Sequence, residues 1–101
     1  MNIVNLPIDR LINHPDNPRK DLGDLTELAE SIKAKGVLQN LTVVPDVRRV
    51  DGDLVKNYLV VIGNRRRAAA ELAGLTELPC VISDMTEKEQ YETMMLENLQ
   101  R

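Results

Sequence analysis

The chain has 101 residues, enough for one compact domain and too few for two, and its 43% hydrophobic and 29% charged content argues against disorder. A net charge of −3, from 16 acidic and 13 basic residues, counts against this segment gripping duplex DNA by itself, so any positive site has to be local. The single cysteine, Cys80, allows no internal disulfide and no cysteine-rich metal site, and no apolar run approaches the roughly 20 residues of a membrane span; a soluble, cytoplasmic protein without membrane contact is expected.

Ile3-Val4-Asn5-Leu6 suits a short first strand ending at Pro7. His14-Pro15-Asp16-Asn17-Pro18-Arg19 carries two prolines three residues apart, which forbids a regular helix or a central strand and predicts an ordered loop. His14 has no second histidine to share a metal and is read as structural. Asp24 and Glu27 have capping-box spacing, predicting a helix with Asp24 at the N-cap, with Leu25, Leu28, Ala29 and Ile32 on its apolar face and Gly36 as its left-handed stop. Residues 41–44 follow as a strand stopped by Pro45, and the polar stretch 46–57 is expected to form a hairpin about Asp51-Gly52.

Tyr58-Leu59-Val60-Val61-Ile62 is apolar at every position and reads as a strand buried on both faces. Gly63 ends it, Asn64 is the predicted N-cap of the next helix, and that helix runs to about Ala73 with Gly74 as its stop. Residues 78–82 return as a strand, with Cys80 a buried structural thiol. A second capping box, Thr86-Glu87-Lys88-Glu89, opens a last helix with Tyr91, Met94 and Met95 on its apolar face. Neither glycine nor proline marks an end to that helix, so residues 1–101 are expected to be one domain of a longer protein. Strand, helix, strand, strand, helix, strand, helix predicts a small α+β (mixed α/β) domain, a mixed sheet packed with about three helices. Having no Phe or Trp, its core must be filled by aliphatic side chains and Met.

Arg65, Arg66 and Arg67 occupy the first turn of the predicted second helix, the wrong end for cations, where the helix dipole costs each about 0.3–1 kcal/mol. Successive helical positions point roughly 100° apart, so the three side chains fan out and at least one turns back toward Gly63. A bound phosphate would turn that cost into a gain, because free N–H groups, a glycine and planar guanidinium forks together cradle it. The bland alternative is solvated arginines paired with Glu71 or Asp84. No Walker A loop is present. On the last helix, Asn98 falls one turn beyond Met94, and a polar amide on an apolar face requires a partner. Glu97 beside it either pairs with Arg101 or joins Asn98 as an oxygen pair for Mg2+, which takes one or two protein oxygens plus phosphate and water.

Three segments, taken together, resemble the ParB/sulfiredoxin-like family. Asn17-Pro18-Arg19, then Leu28-Ala29-Glu30-Ser31-Ile32 and Gly36-Val37-Leu38-Gln39, is similar to the family opening NPR…LAxSIxxxGxxQPLxV. Gly63-Asn64-Arg65-Arg66, with Ala69-Ala70, Ala73-Gly74-Leu75 and Pro79, resembles GERRxRAAxxAGLxxVP, and Glu97-Asn98-Leu99-Gln100-Arg101 is the family's ENLQR unchanged.

The resemblance implies the N-terminal nucleotide-binding domain of a ParB-type chromosome or plasmid partition protein. Such a domain binds CTP with Mg2+ and gates a dimeric clamp on DNA. DNA is read by a helix-turn-helix domain downstream, and a ParA-type ATPase is an expected partner, with a nucleoid- or plasmid-associated place in the cytoplasm. Nucleotide and phosphate contacts are then expected from Gly63, Asn64, Arg65, Arg66, Gly36, Gln39, Asn98 and Arg101, and the metal site from Glu97 and Asn98.

Three departures bear on this. Asn64 replaces the family Glu, Ala68 replaces a second-turn Arg, and Asn40 stands where Pro is usual. The phosphate cradle survives these better than hydrolysis does, leaving at most a weak CTPase with Glu97 as the candidate catalytic carboxylate. Rival readings on the same fold are a kinase for a small molecule such as free serine, a nuclease, and a degenerate protein-interaction domain. Sulfiredoxin chemistry would require a Cys-His pair at the glycine turn, where Asn64 and arginines stand instead.

Overall fold

A computed structural model describes residues 2–99. Five strands, β1 (Ile3–Pro7), β2 (Leu11–Asn13), β3 (Leu41–Val50), β4 (Asp53–Ile62) and β5 (Glu77–Ile82), form one mixed sheet in the order β1-β5-β3-β4-β2. β1 pairs with β5 and β3 with β4 antiparallel, while β3–β5 and β2–β4 are parallel. Three helices, α1 (Thr26–Lys35), α2 (Asn64–Leu72) and α3 (Glu87–Leu99), complete the α+β architecture expected from the sequence.

The unbroken apolar run of β4 explains the layering. Val60 and Val61 are both fully buried, and adjacent strand residues face opposite sides of a sheet. Val60 joins Val43, Ile32 of α1 and Ala69 and Ala70 of α2 in the larger core, whereas Val61 and Val44 meet Met94 of α3 in a smaller one. The two alanines let the α2 backbone lie close on the sheet. At the β3–β4 turn Asp51 and Gly52 have φ of 51° and 86°, the pair of positive values a type I′ turn demands, and Val50 faces Asp53 across it. No helix among the described residues is long and apolar enough to cross a membrane.

Four local expectations are corrected. β3 does not stop at Pro45 but continues to Val50, because β5 pairs only with residues 41–43 and the imide nitrogen then stands on an open edge. Residues 8–13, for which the sequence predicts no element, form a 3-10 turn (Ile8–Arg10) and the short β2, whose three residues carry too little pattern to show a period. α1 begins after Leu25: Asp24 Oδ1 accepts from the Thr26 N–H and hydroxyl instead of closing a box with Glu27. Asn64 is not a cap but the first residue of α2, with Gly63 at the N-cap.

The Thr86–Glu89 box forms as expected, Thr86 N–H donating to Glu89 Oε1 at 3.0 Å and Glu89 N–H to Thr86 Oγ1 at 3.1 Å. The inward stripe of α3, however, is not Tyr91, Met94 and Met95. Tyr91 is 51% and Met95 37% exposed; the stripe runs Gln90, Met94, Asn98 at steps of four, with polar anchors at both ends. His14 Nε2–H donates to Gln90 Oε1 at 2.8 Å, while Nδ1 accepts from the Asp16 N–H, so His14 clasps the proline-rich loop to α3. Met94→Ala should therefore cost about 2–5 kcal/mol of unfolding free energy and Met95→Ala less than about 1, a contrast that urea denaturation measures directly.

Candidate anion site at the junction of β4 and α2

Gly63 turns the chain from β4 into α2 with φ of 105°. A β-carbon there would lie 2.8 Å from Leu41 Cγ and 3.1 Å from Arg66 Nη2, so both the backbone and the space demand glycine. No side chain caps the helix, and the N–H groups of its first turn are left for other acceptors.

The three arginines fan out as the helical angle requires, and each reaches a different stretch of backbone. Arg65 donates from Nε to Leu22 O at 2.9 Å and from Nη2 to Asp24 O at 3.1 Å. Arg66 Nη2 donates to Asn40 O at 3.1 Å. Arg67 Nε donates to Leu11 O at 3.0 Å, and its Nη2 pairs with Glu71 Oε2 at 3.0 Å. Arg67 thus takes the bland role expected of Glu71 pairing, while Asp84 receives none of them among the interactions described.

Three hollows surround this helix start. One is shared by Arg66 and the segment Gly36, Val37, Leu38 and Gln39, which brings those sequence-predicted residues to one place. A second holds Arg65 with Asp24, Glu27 and Leu28. The third is walled by the proline-rich loop, including Asn17, Arg19 and Lys20, and Asn64.

The end of α3 reaches the third hollow through Asn17. Asn98 Nδ2 donates to Met94 O at 2.7 Å and lies 3.5 Å from Asn17 Oδ1, which also takes the Arg19 N–H at 2.9 Å. Glu97 is half-buried beside Asn98. Arg101 lies outside the described residues. Asn17, only 6% exposed, is a positioning residue that the sequence reading does not single out. The signal for it is an asparagine between two turn-forming prolines, a short amide able, like His14, to tie the loop to a helix.

One alternative loses support. Burial pushes the Cys80 thiol up to about 11, and Sγ–H donates to Leu78 O at 3.5 Å, so it is a structural thiol and no redox nucleophile. No group of three or more His, Cys, Asp or Glu able to hold a metal exists among the described residues. For the glycine, Gly63→Ala should destabilise the domain by about 1–3 kcal/mol more than Gly36→Ala, since both have positive φ but only Gly63 meets a neighbour; thermal melts of the two variants decide this.

Comparison with known proteins bears on the whole chain. The ParB N-terminal domain family matches residues 1–99. The chromosome-partitioning protein ParB of Myxococcus xanthus is 43% identical over 98% of this chain and 31% of its own length, and the chromosome-partitioning protein Spo0J of Thermus thermophilus is 44% identical over 98% and 35%. The chain thus spans about a third of these curated relatives.

Among solved structures, C-terminally truncated Caulobacter crescentus ParB complexed with CTP-gamma-S superposes with a TM-score of 0.85 at 34% identity, covering 100% of this chain and 54% of that one. The same protein complexed to the centromeric parS site gives 0.75 at 31%, covering 97% and 48%. Arabidopsis thaliana sulfiredoxin gives 0.65 at 25%, covering 93% and 98%. With its motifs, its mixed five-stranded sheet and a match along nearly its whole length all in agreement, the chain belongs to the ParB N-terminal domain family.

Proposed function

We propose that this domain is the nucleotide switch of a ParB-type partition protein, binding CTP with Mg2+ at the start of α2. The observation that carries the reading is the hollow shared by Arg66, on the first turn of α2, and residues 36–39. A guanidinium facing a concavity beside an uncapped helix start stabilises an anion in the way a triphosphate requires. The Caulobacter relative with CTP-gamma-S supports the same ligand class on the same fold.

Arg66 and the backbone at Gly63 then carry the phosphates, with Gly36 and Gln39 forming the opposite wall. Arg65, already tied to two carbonyls, orders the loop at residues 22–24. Asn98 commits its Nδ2 to protein acceptors and can offer a metal only Oδ1; with the Glu97 carboxylate this makes a sparse oxygen pair, suited to Mg2+ held mostly by phosphate and water. When bound, Mg2+ would neutralise charge on the triphosphate.

DNA contact falls to a helix-turn-helix domain beyond α3, because this segment carries a net charge of −3. The Caulobacter relative complexed to parS, of which this chain covers 48%, supports DNA as a partner of the whole protein. Dimerisation, a ParA-type ATPase partner and a nucleoid- or plasmid-associated place in the cytoplasm belong to the same proposal and rest on family membership.

Calorimetric titration with CTP, ATP and GTP, with and without Mg2+, tests the reading. Binding is expected for CTP, weakened at least about tenfold by Arg66→Ala and unchanged by Arg67→Ala, whose side chain is tied to Leu11 and Glu71. Equal affinity in wild type and Arg66→Ala, or no binding of CTP at all, refutes it.

A further inference from the structure

Asn64 is only 3% exposed, and its amide is half satisfied. Nδ2 donates to Val60 O at 3.2 Å, while Oδ1 is buried without a hydrogen-bond partner. Exchanging the two atoms would set Oδ1 against the Val60 carbonyl, acceptor to acceptor, so the neighbour fixes the orientation. An unmatched buried amide oxygen is costly and uncommon in native interiors. It calls for a donor, and Asn64 borders the hollow beneath the proline-rich loop.

The walls of that hollow leave Oδ1 without a donor in hydrogen-bond reach. His14 Nε2–H goes to Gln90, Arg19 Nε to Asp21 O and Lys20 Nζ to Pro15 O, and Asn17 Oδ1 already accepts the Arg19 N–H. No carboxylate lines the hollow, so it is not a seat for a bare cation. A phosphate, which offers only acceptor oxygens, would meet Oδ1 with repulsion.

We propose that Asn64 is a specificity residue whose Oδ1 accepts a hydrogen bond from an N–H or O–H donor of the bound ligand. This rests on the nucleotide reading above and deepens it: the side chain of Asn64 faces the donor-bearing part of the ligand, while the phosphates lie on the Arg66 side. The donor is a sugar hydroxyl or base amino group of the nucleotide.

The test is a calorimetric cycle on the 101-residue chain. Wild type and Asn64→Ala are titrated with CTP, 2′-deoxy-CTP, 3′-deoxy-CTP and UTP, which lacks the amino group. In wild type one of these changes should weaken binding about tenfold, a value set by a single lost hydrogen bond. The same change should have no further effect in Asn64→Ala. The change that behaves this way names the donor: hydroxyl or amino group. Asn64→Leu, which keeps the volume without an acceptor, is the second truncation if the alanine variant melts below the assay temperature.

Additive effects in both proteins, or absence of any discrimination in wild type, overturns the assignment while leaving CTP binding intact. Failure of wild type to bind CTP overturns the nucleotide reading, and this inference with it.

Discussion

Leu41 occupies the space that a β-carbon on Gly63 would fill, and the rest of the domain is arranged around that contact. It sets how closely β3 approaches the turn out of β4, and therefore where α2 begins. Because α2 starts there, its first turn points at the loops after β2 and α1 and not into solvent. The left-handed φ of Gly63 and the crowding by Leu41 are separate constraints that require the same residue.

The arginine run serves two purposes at once. Cations at a helix start are electrostatically misplaced, and here two of the three guanidinium groups are tied to backbone carbonyls of flanking loops, with the third reaching β2. The carbonyl dipoles offset the helix dipole and hold those loops against the junction. A ligand that meets these side chains would bind at little further ordering cost, because groups that would otherwise be frozen on binding are already held.

Much of this is legible in the sequence. The all-apolar stretch 58–62, the Asp51-Gly52 turn and the Thr86–Glu89 box each carry a local signal whose physics does not depend on distant partners, and each forms. The misreadings share a cause. The expectations for Pro45, Tyr91 and Met95 rest on the chemistry of those residues alone, while their fates depend on which strand ends beside them or which helix face has an anchor. The inward Asn98 follows from its spacing to Met94, but Gln90 points inward because His14 is there to meet it, and the partners His14 and Asn17 lie some eighty positions away, a match that no periodicity contains. At the candidate site, the glycine, the arginine fan and the segment 36–39 are visible as motifs. The half-satisfied amide of Asn64 is not, since it depends on which atom Val60 claims.

The strand order has a consequence for how the domain assembles. β3 and β4 are adjacent in sequence, joined by a two-residue turn, and can zip together as soon as both exist. β1 pairs only with β5, Ile3 meeting Val81, so the first of the five strands waits for the fifth. The entropy lost in closing that long loop is offset only by pairing and packing that form at the end, which places β1 among the late steps of folding. During synthesis the growing chain therefore carries its N-terminal strand unpaired until β5 has emerged.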